Sequence, residues 1–211
     1  MNVKLAYNLW ASQYDSNKNR TRDLEALSLR SALAHISFKE CLEIGCGTGK
    51  NTEWLLTKAE KITAVDLSDE MLARAQKKVS FERVQFVQAD ITEEWNFIDN
   101  TKYDLVVFSL VLEHIENLNP IFEKVSQILH SEGMVYLGEL HPFKQYLGTK
   151  ARFETEMGLQ EVNCFTHHIS DFTRATEKNG LELIKLEEHF DNPEKSTPPR
   201  ILALLFRKKK P

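Results

Sequence analysis

Five apolar runs recur along the chain, and amphipathic stretches separate them. The runs are "ECLEIG" (40–45), "KITAVDL" (61–67), "VQFVQAD" (84–90), "YDLVVFSL" (103–110) and "GMVYLGEL" (133–140). Each is short, almost continuously apolar and rich in β-branched or aromatic residues, as strands covered on both faces must be. Between them, "KNTEWLLTKA", "SDEMLARAQKKV" and "NPIFEKVSQILHSEG" carry apolar residues at helical spacing. In the last, Ile121, Val125, Ile128 and Leu129 share a face, and Gly133 is expected to stop the helix. This alternation predicts right-handed crossovers and a mostly parallel, doubly wound α/β sheet. Further on, "SDFTRATEKNG" reads as a helix with Ser170 as N-cap and Gly180 as stop. "LELIKLEEHF" and "RILALLF" then read as strands joined by "DNPEKSTPP", a loop that allows an antiparallel pair but hardly a helical crossover.

A chain of 211 residues, 42% of them hydrophobic, suits one core and one domain over 1–211, with a helical cap over 1–30 and a lid-like insertion over 141–169. The formal net charge of −4 comes with no clustered basic face, which argues against a nucleic-acid partner. The terminal "RKKKP" reads as a solvated tail. Cys41, Cys46 and Cys164 form no C-x-x-C pair, so neither a disulfide framework nor a metal is expected. The N-terminal segment lacks signal-peptide features, and no apolar run approaches the roughly 20 residues of a membrane span. A cytoplasmic protein, monomeric or homodimeric and without a membrane partner, is the expectation.

The segment "EIGCGTGKN" leaves a predicted strand and opens a predicted helix, with glycine at 45, 47 and 49. Glycines there let the backbone turn tightly and approach a ligand closely. Asp66 ends the second strand, where a carboxylate can accept from both hydroxyls of a ribose. Asp90 ends the third, within reach of an adenine amino group. Either acid alone could be a helix cap; three such features at the ends of consecutive strands make a line of ligand contacts. A phosphate-binding P-loop is excluded because Lys50 is followed by Asn51. The dinucleotide fingerprint would need glycine at Lys50, so the loop suits a ligand with ribose and adenine but no bridging phosphates.

The successive segments "LEIGCGTGKNT", "AVDLSDEML", "VQAD" and "YDLVVFSLVLEHI" resemble the motifs of class I S-adenosylmethionine-dependent methyltransferases, in the small-molecule branch that opens with a "YDxWAxxYD"-like stretch. Here that stretch reads "YNLWASQYD", with Asn8 where aspartate is usual. The resemblance covers about residues 7–140. It implies a Rossmann-like seven-stranded sheet with an antiparallel last strand, and S-adenosylmethionine as cofactor with S-adenosylhomocysteine as product. It also implies that Glu43, Gly45, Cys46, Gly47 and Gly49 surround the methionine part and that Asp66 binds the ribose. Leu67, Met71, Asp90 and Ile91 would lie about the adenine, Ser109 and Leu110 would border the sulfonium, and Tyr14, with Tyr7 and Trp10, would close over the cofactor.

A positioned nucleophile in a water-poor site is the main catalytic need, joined by a general base where the acceptor arrives protonated. His141, leaving the fifth strand, and His114, past the fourth, are the candidate catalytic residues, with Glu139 a weaker one. In the insertion, Phe143, Tyr146, Phe153, Lys144, Lys150, Arg152, His167 and His168 are candidate contacts to a small-molecule acceptor. After the fourth strand stands "SLVLEH", not "NPPY", and no Pro-Cys follows, which favours a small molecule over a nucleic acid. Two alternatives stay open: an NAD-dependent oxidoreductase, and a protein that binds S-adenosylmethionine without catalysis.

Overall fold

The computed structural model describes residues 1–79, 81–155 and 158–210. Two helices, α1 (Val3–Trp10) and α2 (Arg20–Leu33), lead into an alternating series: β1 (Glu40–Ile44), α3 (Lys50–Leu55), β2 (Lys61–Asp66), α4 (Asp69–Lys78), β3 (Val84–Gln88), β4 (Tyr103–Ser109), α5 (Asn119–Ile128) and β5 (Leu129–Leu140). The insertion holds α6 (Pro142–Tyr146) and a hairpin of β6 (Arg152–Thr155) and β7 (Gly158–Glu161). The chain then runs through α7 (Ile169–Lys178), β8 (Leu181–His189) and β9 (Ile201–Lys208).

The large sheet has seven strands in the order β3-β2-β1-β4-β5-β9-β8. Pairs along β3-β2-β1-β4-β5 are parallel, and β9 runs antiparallel to both neighbours. This is the expected Rossmann-like sheet with its antiparallel last strand. Period-two alternation sends side chains to two cores: Leu42, Ile44, Val106 and Phe108 meet α5 and α7 on one face, while Cys41, Leu105 and Val107 meet α2 and α4 on the other. Strand order reverses between β1 and β4, and a crevice opens there beyond the strands' carboxyl ends.

Two boundaries differ from the sequence reading. The helix before β5 ends at Ile128, and Leu129 already pairs with Tyr103, so Gly133 lies inside the strand rather than stopping a helix. Leu129 lies 2% exposed against the sheet core, and that burial wins over continuation of the helical stripe. Likewise α7 starts before Ser170: the His168 backbone N–H donates to the Asp171 carboxylate at 2.8 Å and closes the first turn.

Asn8 ties the N-terminal cap to the sheet. Its amide donates to Asp69 at 3.1 Å and accepts from Ser68 Oγ at 2.6 Å, bridging α1 and the start of α4. An aspartate at position 8 would set like charges together, whereas the amide offers both a donor and an acceptor.

Candidate functional site

Two cavities meet at the crevice, one of about 670 Å³ and one of about 410 Å³. Tyr14, Gly45, Gly47, Ser109 and Leu110 line both, so the two are parts of one continuous site. Gly45 and Gly47 have φ of +74° and +53°. A Cβ on Gly45 would lie 2.0 Å from Val111 Cγ2, while one on Gly47 would meet no protein atom within 4 Å. Gly47 therefore faces open space, where the backbone itself forms the wall. Gly49 serves packing instead, because its Cβ would press on Ala75 at 3.2 Å.

The larger cavity is apolar with acids at its rim: Leu67, Ile91 and Val111 line it together with Asp66 and Asp90. The Asp66 carboxylate accepts from the backbone N–H groups of Gly47 and Ser68, each at 2.8 Å. Burial pushes its pKa up, and those two bonds oppose the shift. Asp90 is exposed and takes Thr92 N–H and Oγ on one oxygen, Oδ1. Leu110 itself adopts φ +57°, rare for a branched side chain. Glu139 fixes the turn that follows, accepting from the backbone N–H of Val111 at 3.1 Å and of Leu112 at 3.0 Å.

The smaller cavity is charged. Arg22, Glu25, Glu43, Lys50 and Asn51 line it. Arg22 lies over the Tyr14 ring at 3.9 Å, donates to the Tyr14 carbonyl, and donates to that of Asn17 at 2.9 Å. Glu25 is 2% exposed; it accepts from Ser109 Oγ at 2.8 Å and from the Asn51 amide at 3.0 Å, and burial lifts its pKa to about 7. Glu43 accepts from Thr52 Oγ1 at 2.6 Å, and burial lifts it to about 8. Among the described residues, Arg22 Nε and Asn51 Oδ1 are buried without hydrogen-bond partners. A polar group or a water entering the cavity would satisfy them.

Of the sequence-derived cofactor residues, Tyr14, Glu43, Gly45, Cys46, Gly47, Asp66, Leu67, Asp90, Ile91, Ser109 and Leu110 line this site. Gly49 and Met71 do not; Met71 is 1% exposed and packs beneath α1 with Trp10. The two histidines part company. His114 lines the larger cavity, and its Nε2 lies 2.9 Å from the Tyr7 hydroxyl. His141 is fully buried away from both cavities: its Nδ1 accepts from Phe143 N–H, and its Nε2 donates to Glu188 at 2.9 Å. It caps α6 and has no ring nitrogen free to take a proton.

The acceptor candidates of the insertion also lie away from the cavities. Phe143, Tyr146, Arg152 and His168 are exposed, with Tyr146 bonded to His168, and His167 holds the Ile115 carbonyl at 2.7 Å. Phe153 is buried and stacks on Trp10 at 5.2 Å, fastening the hairpin to α1. Lys144 pairs with Asp191 and Lys150 with Glu161.

The family profile described as a methyltransferase domain matches residues 42–137, from β1 through most of β5. Residues 42–137 are thus similar to a methyltransferase domain. The chain is 33% identical over 136 residues to a malonyl-[acyl-carrier protein] O-methyltransferase of Priestia megaterium, an alignment covering 62% of this chain and 48% of that protein. It spans about half the length of such curated relatives. An S-adenosylmethionine-dependent methyltransferase from Mesorhizobium loti superposes with a TM-score of 0.73 at 19% identity, covering 88% of this chain and 98% of that one. The N-methyltransferase NodS of Bradyrhizobium japonicum, solved with S-adenosylhomocysteine, gives 0.70 at 18%, covering 97% and 100%. The methyltransferase fold thus extends over nearly the whole chain. Among the described residues, no helix is long and apolar enough to cross a membrane.

Proposed function

We infer that this chain binds S-adenosylmethionine and transfers its methyl group to a small-molecule acceptor. One observation carries the reading: an apolar cavity rimmed by Asp66 and Asp90 continues into a charged one where Arg22 Nε and Asn51 Oδ1 lack partners. A nucleoside joined to a zwitterionic amino-acid tail matches both halves. Asp66 would accept from ribose hydroxyls, Leu67 and Ile91 would cover the adenine, and Asp90 Oδ2 would accept from its amino group. Arg22 and Lys50 suit the tail's carboxylate, Glu25 and Glu43 its ammonium. S-adenosylmethionine, when bound, supplies an activated methyl on a sulfonium.

The protein's own contribution is positioning and exclusion of water. Glu139 and the strained Leu110 hold the turn where the two cavities meet, and Tyr7 and Tyr14, with Trp10 packed behind them, form an aromatic wall from the N-terminal cap. His114 Nδ1 faces the Asn163 carbonyl at 2.8 Å; a carbonyl only accepts, so Nδ1 carries the proton and Nε2 accepts from Tyr7. The Tyr7 hydroxyl is thereby held against the cavity, and burial keeps it protonated. Incubation with methyl-labelled S-adenosylmethionine and a panel of small amine, hydroxyl and carboxyl acceptors tests the reading. Labelled small product supports it, while cofactor binding with no transfer to any acceptor would leave a binding protein.

A further inference from the structure

We propose that Glu113, His114 and Cys164 form a site for one zinc-type divalent transition-metal ion, which clamps the insertion onto the turn after β4. Their donor atoms lie within 4.8 Å of one another. They bring a carboxylate, an imidazole and a thiol together, the donor mix that borderline divalent metals select over calcium or magnesium. Glu113 is 6% exposed; Gln145 and Cys164 bond its carboxyl, while its Oε2 has no partner among the described residues. His114 lines the larger cavity, which gives an ion a way in.

The surrounding backbone already holds the donors in place. Phe165 N–H donates to the Glu113 carbonyl at 2.7 Å, and His167 holds the Ile115 carbonyl at 2.7 Å. Segment 163–167 is thus laid along residues 113–115 with Cys164 facing His114, its Sγ 3.9 Å from Nδ1. Edges of a tetrahedral zinc site are about 3.5 Å, given metal–ligand bonds of roughly 2.0–2.3 Å. Small side-chain rotations would close the cluster to that size.

Metal binding also makes chemical sense of Tyr7. With an ion on Nδ1, the ring proton moves to Nε2, which then donates to the Tyr7 oxygen at 2.9 Å. A metal-bound histidine characteristically donates its other N–H to such a partner. The Asn163 carbonyl, 2.8 Å from Nδ1, is placed to become a fourth ligand. The thiol proton of Cys164 passes to solvent as the thiolate binds.

The test is a titration of the full chain, stripped with chelator and kept reduced, with Co²⁺ as the optical probe and Zn²⁺ as competitor. One equivalent should bind with the sulfur-to-cobalt charge-transfer band, and Zn²⁺ should displace it. Cys41 and Cys46 are buried outside the cluster, so Cys164→Ala should abolish the band alone. His114→Ala and Glu113→Gln should weaken binding by about tenfold or more. Absence of saturable binding, or an unchanged band and affinity in the Cys164→Ala variant with native circular dichroism, would overturn the proposal. Titration of the same samples with S-adenosylhomocysteine reports separately on the cofactor site.

Discussion

Ser109 Oγ donates to Glu25 Oε1 at 2.8 Å, joining the carboxyl end of β4 to the middle of α2. A helix outside the matched methyltransferase segment thereby places an acid in the wall of the candidate site. Gly138 on β5 makes the room: a Cβ there would lie 2.5 Å from Glu25 Oε1 and 2.6 Å from the Tyr136 hydroxyl.

Gly138→Ala should therefore destabilise the chain by about 1–3 kcal/mol through overpacking, and weaken S-adenosylhomocysteine binding by displacing Glu25. Denaturant unfolding with unchanged slope would measure the first effect and calorimetry the second. An alanine variant as stable as the parent would mean the Glu25 carboxyl is free to move aside.

The buried acids set an unusual pH dependence. Burial raises Glu25 from 4.5 to about 7, and Glu43 and Glu139 to about 8. The folded state binds these protons more tightly than the unfolded chain does. The stability gained is complete below pH 4.5, the ordinary value, and is lost as pH rises through about 7 to 8. The ligand-free chain should thus unfold at lower temperature near pH 8 than near roughly pH 5.5, the balance of other carboxylates notwithstanding. Glu25→Gln should reduce that slope and gain on the order of 1 kcal/mol at the alkaline end, since Asn51 can turn its free Oδ1 toward the new amide. A Glu25→Gln variant with the parent's pH profile would contradict this.

Asp66 holds the loop and, on the proposed reading, would hold the ribose, so its replacement separates two effects. Asp66→Ala should weaken S-adenosylhomocysteine binding by about 1–3 kcal/mol and also loosen the loop, because Gly47 and Ser68 N–H lose their acceptor. Asp66→Asn keeps one acceptor oxygen and should recover part of the loop's stability but little of the affinity. Equal affinity in all three chains would remove Asp66 from the site.

His141 should behave as a structural residue. His141→Ala removes the cap of α6 and the bond to Glu188, at a cost of about 1–2 kcal/mol in unfolding free energy. Cofactor affinity should stay within twofold of the parent. A variant of full stability with lost methyl transfer would return His141 to the catalytic machinery.

How much of this the sequence disclosed depends on range. The strands, Gly45, Gly47, Asp66 and Asp90 were legible because each signal sits within a few residues, and the sheet's topology then brings them to one edge. Arg22 and Glu25 were missed because their helix lies outside the glycine motif. Glu25 did leave a trace: it falls on the buried face of α2 with Ser28, Leu29 and Leu33, where a charge is out of place. His141 misled because the end of a strand fixes where a side chain starts and not where it points. The Glu113–His114–Cys164 cluster joins residues 50 apart, and no local pattern announces it. The long apolar stripe through Leu129 hid the early end of α5 because helix and strand both bury that residue.

The central claim is best tested by calorimetric titration of the purified chain with S-adenosylhomocysteine, with NAD as the control. One-site binding of S-adenosylhomocysteine, weaker by about fivefold or more after Asp66→Ala and absent for NAD, is the predicted result. Binding of NAD, or of neither ligand by folded protein, would contradict it.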